Sequence, residues 1–419
     1  MKLFSHGSLA RNFLYQFMGQ GSGYALRVAY FVIIARLLGV QQYGLVVGSY
    51  SLVNVVAQYS RLGMGVVMLR YVSGDFSRFA VYWGNILLVT STVGSLLVFG
   101  LQLIAPHILD LETAKVVAAT AVATCLLEQI TISATQAFQA AHRMAIAAAM
   151  DQMTNLFRVI AAAQMLFFLH HATARQWVMT QVVVSACATA VALCVTTVIL
   201  GWPKFDPSGC IKHVGEGVEY SFAASTQNIY NDLDKTMMSH YGRSTENGIY
   251  GLAYRILEMG TSPITALAIA SFPRLFAMNE TAPEKIRQNG LKLLGVGIKI
   301  SVVVSICLFF ASNLIPLVLG SAFSEAAVAL RWLCVIPVFR SIHGVAGNLL
   351  TAMGKQRYRT LSQVAAVILN FSVNLWVIPS YGWKGAALSS VLTDGFLALL
   401  CWTVFQIQSN RPLEKAISL

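Results

Sequence analysis

Read for its apolar and polar positions alone, the chain is a series of long apolar blocks separated by short polar breaks. Twelve blocks approach or exceed the roughly 20 residues that a helix needs to cross a bilayer. They cover 12–38, 43–69, 80–105, 114–140, 145–169, 177–200, 217–241, 247–277, 291–319, 326–352, 360–379 and 384–407. Gly, Pro and clustered charges mark the breaks, as in Leu38-Gly39-Val40-Gln41-Gln42-Tyr43 and Gly201-Trp202-Pro203-Lys204. The blocks are continuously apolar, whereas a spanning β-barrel would alternate over about ten residues. The breaks are too short to hold a soluble domain.

Composition agrees with this pattern. Of 419 residues, 56% are hydrophobic and 11% charged, against roughly 25% charged in soluble domains. A soluble monomer this apolar would expose large greasy patches. The formal charge of +12 then reflects basic cytoplasmic loops, and no nucleic-acid partner is expected. The seven cysteines are scattered, without metal spacing, and read as small packing residues; no cofactor or metal is expected. With twelve spans, sixteen loop Lys and Arg fall on the side of the termini and six on the other, which places both termini in the cytoplasm.

The halves echo each other. Arg36 leads into Tyr43-Gly44-Leu45, and Arg243 leads into Tyr250-Gly251-Leu252 with the same spacing. Ala140-Ala141-His142-Arg143 ends the fourth span, and Ala352-Met353-Gly354-Lys355 ends the tenth. A parallel repeat follows: an amino-terminal lobe over 1–200, a cytoplasmic linker over 201–216 and a carboxy-terminal lobe over 217–419. Repeat transporters bind substrate between such halves. The expected fold is an all-α integral membrane protein of about twelve transmembrane helices, in two pseudo-symmetric six-helix bundles around a central cavity.

The charges inside the spans carry the chemistry. Seven are basic: Arg27, Arg61, Arg158, Lys235, Arg255, Lys299 and Arg340. Acids within spans are Glu128, Asp232, Asp234, Glu258 and Asp394, with Asp151 nearer an end. Each charge costs about 2.5–3.5 kcal/mol at a helix centre. Seven unpaired cations would cost about 20 kcal/mol, more than a domain's margin of about 5–15 kcal/mol. They must be paired or face water. Asp232 with Lys235, and Arg255 with Glu258, are i,i+3 neighbours that can pair within one helix; Arg27, Arg61 and Arg158 have no acid at helical spacing. The seventh span, with Ser221, Ser225, Thr226, Gln227, Asn228 and Asn231 around its charges, is expected to line an aqueous path. The basic surplus suits that path to an anion, phosphate above all. Pro263, Pro316 and Pro337 are expected to kink the helices they interrupt.

Several of these stretches resemble the polysaccharide transporter family, the O-antigen and exopolysaccharide repeat-unit flippases. Ala35-Arg36-Leu37-Leu38-Gly39, Tyr43-Gly44-Leu45, Leu62-Gly63-Met64-Gly65 and Arg70-Tyr71 are similar to its amino-terminal signature. Asp234-Lys235, Gly248-Ile249-Tyr250-Gly251-Leu252-Ala253-Tyr254-Arg255, Phe272-Pro273-Arg274 and Leu349-Leu350-Thr351-Ala352-Met353-Gly354-Lys355 resemble later segments. The resemblance implies a non-enzymatic flippase of the bacterial inner membrane, moving undecaprenyl-diphosphate-linked oligosaccharides by alternating access, coupled to H+ or Na+. It implies partners among membrane lipids, that glycan, and the polymerase and chain-length regulator of the same pathway. On this reading Arg27, Arg61, Arg158, Lys235, Arg255 and Lys299 are substrate-binding candidates; Asp232, Asp234, Glu258 and Asp394 are ion-coupling candidates; no catalytic or metal-binding residues are assigned. A multidrug/cation antiporter of the same superfamily and a membrane polysaccharide polymerase are the alternatives.

Overall fold

The computed structural model describes residues 6–169, 171–268 and 286–410, which are helical with no strand among them. The Phe272-Pro273-Arg274 motif lies outside the described residues. The chain forms two compact units, Met1–Gly248 and Ile249–Leu419.

The first unit opens with α1, His6–Ala57. Its backbone leaves helical geometry at Gly39 (φ 67°). Phe31 and Tyr43 would stand about 18 Å apart along a straight helix, yet their ring centroids lie 6.3 Å apart. The chain therefore folds back at Gly39 and α1 supplies two arms. The second arm continues into a tight turn over Gln58–Arg61 and, past a left-handed pair at Leu62 (φ 42°) and Gly63 (φ 64°), into α2, Met64–Val72. The continuous span expected over 43–69 is thus broken near its end, where Gly63 lies hard against the Gly217 backbone. The unit continues through α3 (Phe79–Ile108), α4 (Leu111–Ala121), a π-helical turn over Val122–Leu127, α5 (Glu128–Ala140), α6 (Met144–Leu169), α7 (Ala174–Leu200) and α8 (Pro207–His240). Only residues 201–206 of the expected linker are non-helical; α8 begins at Pro207, well before residue 217. That short segment is tied to α3, by Lys204 N to Ala80 O (2.8 Å) and Asp206 N to Asn85 Oδ1 (2.9 Å). The unit's interior centres on Met64, Met68, Phe79, Trp83, Ile86 and Phe138, all 2% exposed or less.

The second unit takes in most of α9 (Ser244–Gly260), a further helical stretch over 262–268, α10 (Ile286–Ala311), the short α11 (Leu314–Leu319), α12 (Ser324–Leu333), α13 (Ile336–Ala352) and α14 (Gln356–Asn410). α14 folds back at Gly382 (φ 54°), since Asn370 Nδ2 reaches Thr393 Oγ1 at 3.2 Å; a straight helix would hold those residues about 35 Å apart. α9 ends just before Pro263, as expected, whereas Pro337 sits at the start of α13, where its missing N–H costs nothing.

Seven helical stretches are long and apolar enough to cross a membrane, and an eighth is a bent pair over α12 and α13. Two of the seven contain the reversals at Gly39 and Gly382 and count twice, which makes ten. α8 and the stretch from α9 to residue 268 lie outside that apolar set and bring the described helical spans to the expected twelve. Phe167, Val198 and Trp376 are 77–82% exposed, as a lipid-facing surface favours.

The sequence echo has a structural counterpart. At the end of α5, Arg143 N donates to Phe138 O (2.8 Å) and His142 N to Gln139 O (3.0 Å). At the end of α13, Lys355 N donates to Leu350 O (2.8 Å) and Gly354 N to Thr351 O (3.0 Å). The central residues, His142 (φ 58°) and Gly354 (φ 71°), are both left-handed. Each unit thus ends a span with the same Schellman turn, and a third copy centred on Gly242 (φ 67°) separates α8 from α9.

Candidate functional site

In the first unit, α8 lies along the second arm of α1, and the polar residues of α8 meet that arm. Ser221 Oγ donates to Gln58 O (3.0 Å), Ser225 Oγ to Val55 O (2.6 Å) and Asn228 Nδ2 to Asn54 O (3.0 Å). Thr236 and Ser51 share a hydrogen bond of 3.0 Å. These side chains join two helices, and the expectation that they line water is corrected for them. A backbone carbonyl can accept a second hydrogen bond besides its helical one, which periodicity cannot reveal.

The charges of α8 sit in the same seam. Lys235 is buried; its Nζ lies 3.0 Å from Asp232 Oδ1 and 3.7 Å from Asp234 Oδ1, and donates to Asn231 O. Asn54 Nδ2 donates to Asp232 Oδ2 at 2.7 Å. Asp234 also caps the Lys235 amide at 2.7 Å. Three sequence-nominated residues are therefore brought together, one cation between two carboxylates.

Elsewhere in this unit the acids missing at helical spacing arrive from other helices. Arg158 on α6 pairs with Glu128, the first residue of α5 after the π-helical turn. Its Nε donates to Gln181 Oε1 on α7 (3.1 Å), and Gln181 Nε2 to Tyr30 Oη on α1 (3.3 Å). Arg61 donates to Gln136 Oε1 on α5 (2.8 Å) and forms no ion pair among the described residues. Arg27 faces Asp151 across α1 and α6 at 3.9 Å, with the side chains 43% and 55% exposed. That separation exceeds the roughly 2.7–2.9 Å of a tight charge-assisted bond, so this pair is loose and accessible where the Arg158 pair is closed.

In the second unit, Arg255 and Glu258 on α9 form the expected pair, at 3.5 Å, with Arg255 half exposed. Lys299 on α10 is exposed. Asp394, on the second arm of α14, is 2% exposed and lies 3.3 Å from His343 Nε2 and 3.9 Å from Arg340 Nε, both on α13. Arg340 Nη2 donates to Tyr254 Oη on α9 (2.6 Å). His343 went unread in the sequence, although its place three residues after Arg340 puts both on one helical face.

The nominated residues thus divide by accessibility. Lys235, Asp234, Asp394 and Arg158 are enclosed with partners; Arg27, Arg255 and Lys299 are exposed on spanning helices. An exposed cation at that depth is tolerated where water or an anion reaches it.

Residues 9–279 match the family described as polysaccharide biosynthesis protein, and residues 220–376 match the MatE family. A probable low-salt glycan biosynthesis flippase, Agl15 of Haloferax volcanii, is 24% identical over 170 residues, 39% of this chain and 35% of the relative; the chain therefore spans about a third of that relative's length. Among solved structures, an inward-facing multidrug resistance MATE transporter of the MOP superfamily is similar with TM-score 0.76 and 12% identity, over 93% of this chain and 94% of that one. The lipid II flippase MurJ, in an inward closed conformation, is similar with TM-score 0.73 and 11% identity, over 94% and 89%.

Proposed function

The chain belongs to the polysaccharide biosynthesis protein family, and from that premise we propose that this multi-pass membrane transporter flips polyprenyl-diphosphate-linked oligosaccharides between the leaflets of a membrane. The observation that carries this reading is the loose, exposed Arg27–Asp151 pair on spanning helices of the first unit. A phosphate can take the Arg27 guanidinium through two parallel hydrogen bonds and displace a carboxylate held at 3.9 Å. Arg255 and Lys299 offer the same chemistry in the second unit, while the prenyl chain stays in lipid. Undecaprenol is the carrier, and the bacterial cytoplasmic membrane the setting, that the family resemblance favours. Complementation tests this: Arg27→Ala, inserted at wild-type abundance, should abolish surface polysaccharide, and normal polymer from that variant would remove Arg27 from the mechanism.

A cation-exporting reading has one observation behind it, the MatE match over residues 220–376. It would need an accessible acid inside a span without a basic neighbour; of the in-span acids nominated from the sequence, the more accessible Asp151 and Glu258 stand beside Arg27 and Arg255.

A further inference from the structure

Arg359, in the first turn of α14, is a half-buried cation held by neutral groups. Its Nη1 donates to Thr351 Oγ1 at 3.2 Å and reaches Asn348 Oδ1 at 3.5 Å, both on α13. The guanidinium lies across the bare backbone of Gly347, where a Cβ would stand 3.0 Å from Nε. Nε and Nη2 have no hydrogen-bond partner, and the guanidinium no acid, among the described residues. The sequence offers none nearby, since no Asp or Glu occurs between Glu325 and Asp394. Lys355 and Arg357, both exposed, add two charges within four residues of Arg359. Lys292, exposed on α10, stands at the same end of the unit, because the neighbouring Gly290 abuts Leu349 of α13.

The same place in the other half is filled differently. Gln136 and Asn348 each stand six residues before the left-handed residue of their matching turns, His142 and Gly354. In the first unit Gln136 Oε1 takes Arg61 at 2.8 Å. In the second the amide oxygen is 3.5 Å from Arg359, at the limit of a hydrogen bond, and the guanidinium fork stays open.

We infer that Arg359 and Arg357 form a site for the phosphate of an anionic membrane phospholipid. Depth supports a lipid headgroup. The first arm of α14, from Gln356 to Gly382, is about 40 Å long, about 10 Å more than a hydrocarbon core. Arg359 lies within about 5 Å of its start and so at headgroup level. Arg357 heads a stripe of exposed apolar residues at helical spacing, Leu361, Ile368 and Leu375, along which acyl chains can lie. A phosphate there meets Arg357 from the lipid side and the Arg359 fork from the protein side, with two hydrogen bonds as well as charge. Its negative charge offsets a half-buried cation that Asn348 and Thr351 cannot neutralise, and cations at the membrane surface favour anionic lipids over neutral ones. The site uses none of the residues assigned to the glycan.

The test uses the full chain in phosphatidylcholine nanodiscs with a graded fraction of phosphatidylglycerol, the retained lipid being counted by native mass spectrometry. Wild type should retain phosphatidylglycerol, and Arg359→Gln should weaken that retention about tenfold or more, as the loss of charge-assisted hydrogen bonds implies. Lys292→Gln, which removes a charge from the same end, should stay close to wild type. Arg359→Lys keeps the charge without the fork and should fall between. Millimolar inorganic phosphate should leave the lipid in place. Wild-type retention in Arg359→Gln overturns the inference. An equal loss in Lys292→Gln overturns it in favour of bulk charge, and displacement by inorganic phosphate in favour of a soluble anion. If Arg359→Gln does not fold, Arg359→Lys decides, and retention at the wild-type level overturns the proposal. No glycan enters the measurement, so the flippase reading stands or falls separately.

Discussion

Asn54 and Asp232 join two helices of the first unit: the amide of one reaches a carboxylate oxygen of the other at 2.7 Å, while the Lys235 ammonium takes the second oxygen at 3.0 Å. Lys235 stands between two carboxylates, one of them 2% exposed. Removing the cation leaves both acids in a poorly hydrated seam, and breaking a buried pair in this way costs about 3–5 kcal/mol. Lys235→Ala should therefore show a clear drop in thermal unfolding temperature in detergent. Asp232→Asn combined with Lys235→Met, which removes charge from both sides, should recover part of the loss. A wild-type melting temperature for Lys235→Ala would show that the seam is better hydrated than its burial implies.

The Arg158–Glu128 pair bears on the division between enclosed and accessible charges. Glu128→Gln and Arg158→Gln should each destabilise the protein by about 1–3 kcal/mol, because each leaves a charged partner uncompensated. The double variant should be closer to wild type than the sum of the singles, and the coupling follows from a double-mutant cycle. Additive losses would show that the two side chains do not depend on each other.

Two glycines of α1 differ in the reason for their presence. A Cβ on Gly44 would collide with the Ser244 carbonyl and lie 2.8 Å from the Gly248 amide, whereas a Cβ on Gly39 meets nothing within 4 Å. Gly39 is needed for its φ of 67° alone. Gly39→Ala should cost about 1–3 kcal/mol, because φ 67° with ψ 174° is backbone that only glycine adopts readily, and Gly44→Ala about 1–3 kcal/mol through overpacking. A wild-type melting temperature for Gly44→Ala would count against the close crossing at Gly44, and one for Gly39→Ala against the backbone reversal at Gly39.

At His142 a side chain occupies the left-handed place that Gly354 fills in the matching turn. His142 is exposed. His142→Gly should raise stability by up to about 1 kcal/mol by relieving that strain. A loss of stability would mean that the imidazole makes a contact worth more than the backbone strain it costs.

The span pattern was legible because lipid demands long apolar runs, and the reversals at Gly39 and Gly382 coincide with breaks that glycine marks. The i,i+3 pairs were legible for the same local reason. What escaped the sequence was every partner supplied by another helix. Glu128 for Arg158, Gln136 for Arg61 and His343 for Asp394 carry no helical spacing, since packing sets them together across 30 to 75 residues. The polarity of α8 was visible but its meaning was not: Ser221, Ser225 and Asn228 look alike whether they face water or a neighbour's carbonyls.

The central claim is that cations exposed on spanning helices receive the phosphate of a lipid-linked glycan. Its most direct measurement is translocation of a polyprenyl-diphosphate disaccharide across proteoliposomes, followed by access of a membrane-impermeant lectin to the sugar. The wild-type chain should move the glycan, and Arg27→Ala should slow it about tenfold or more, the equivalent of about 1.4 kcal/mol. No translocation by the wild type, or an unchanged rate in Arg27→Ala, would contradict the account.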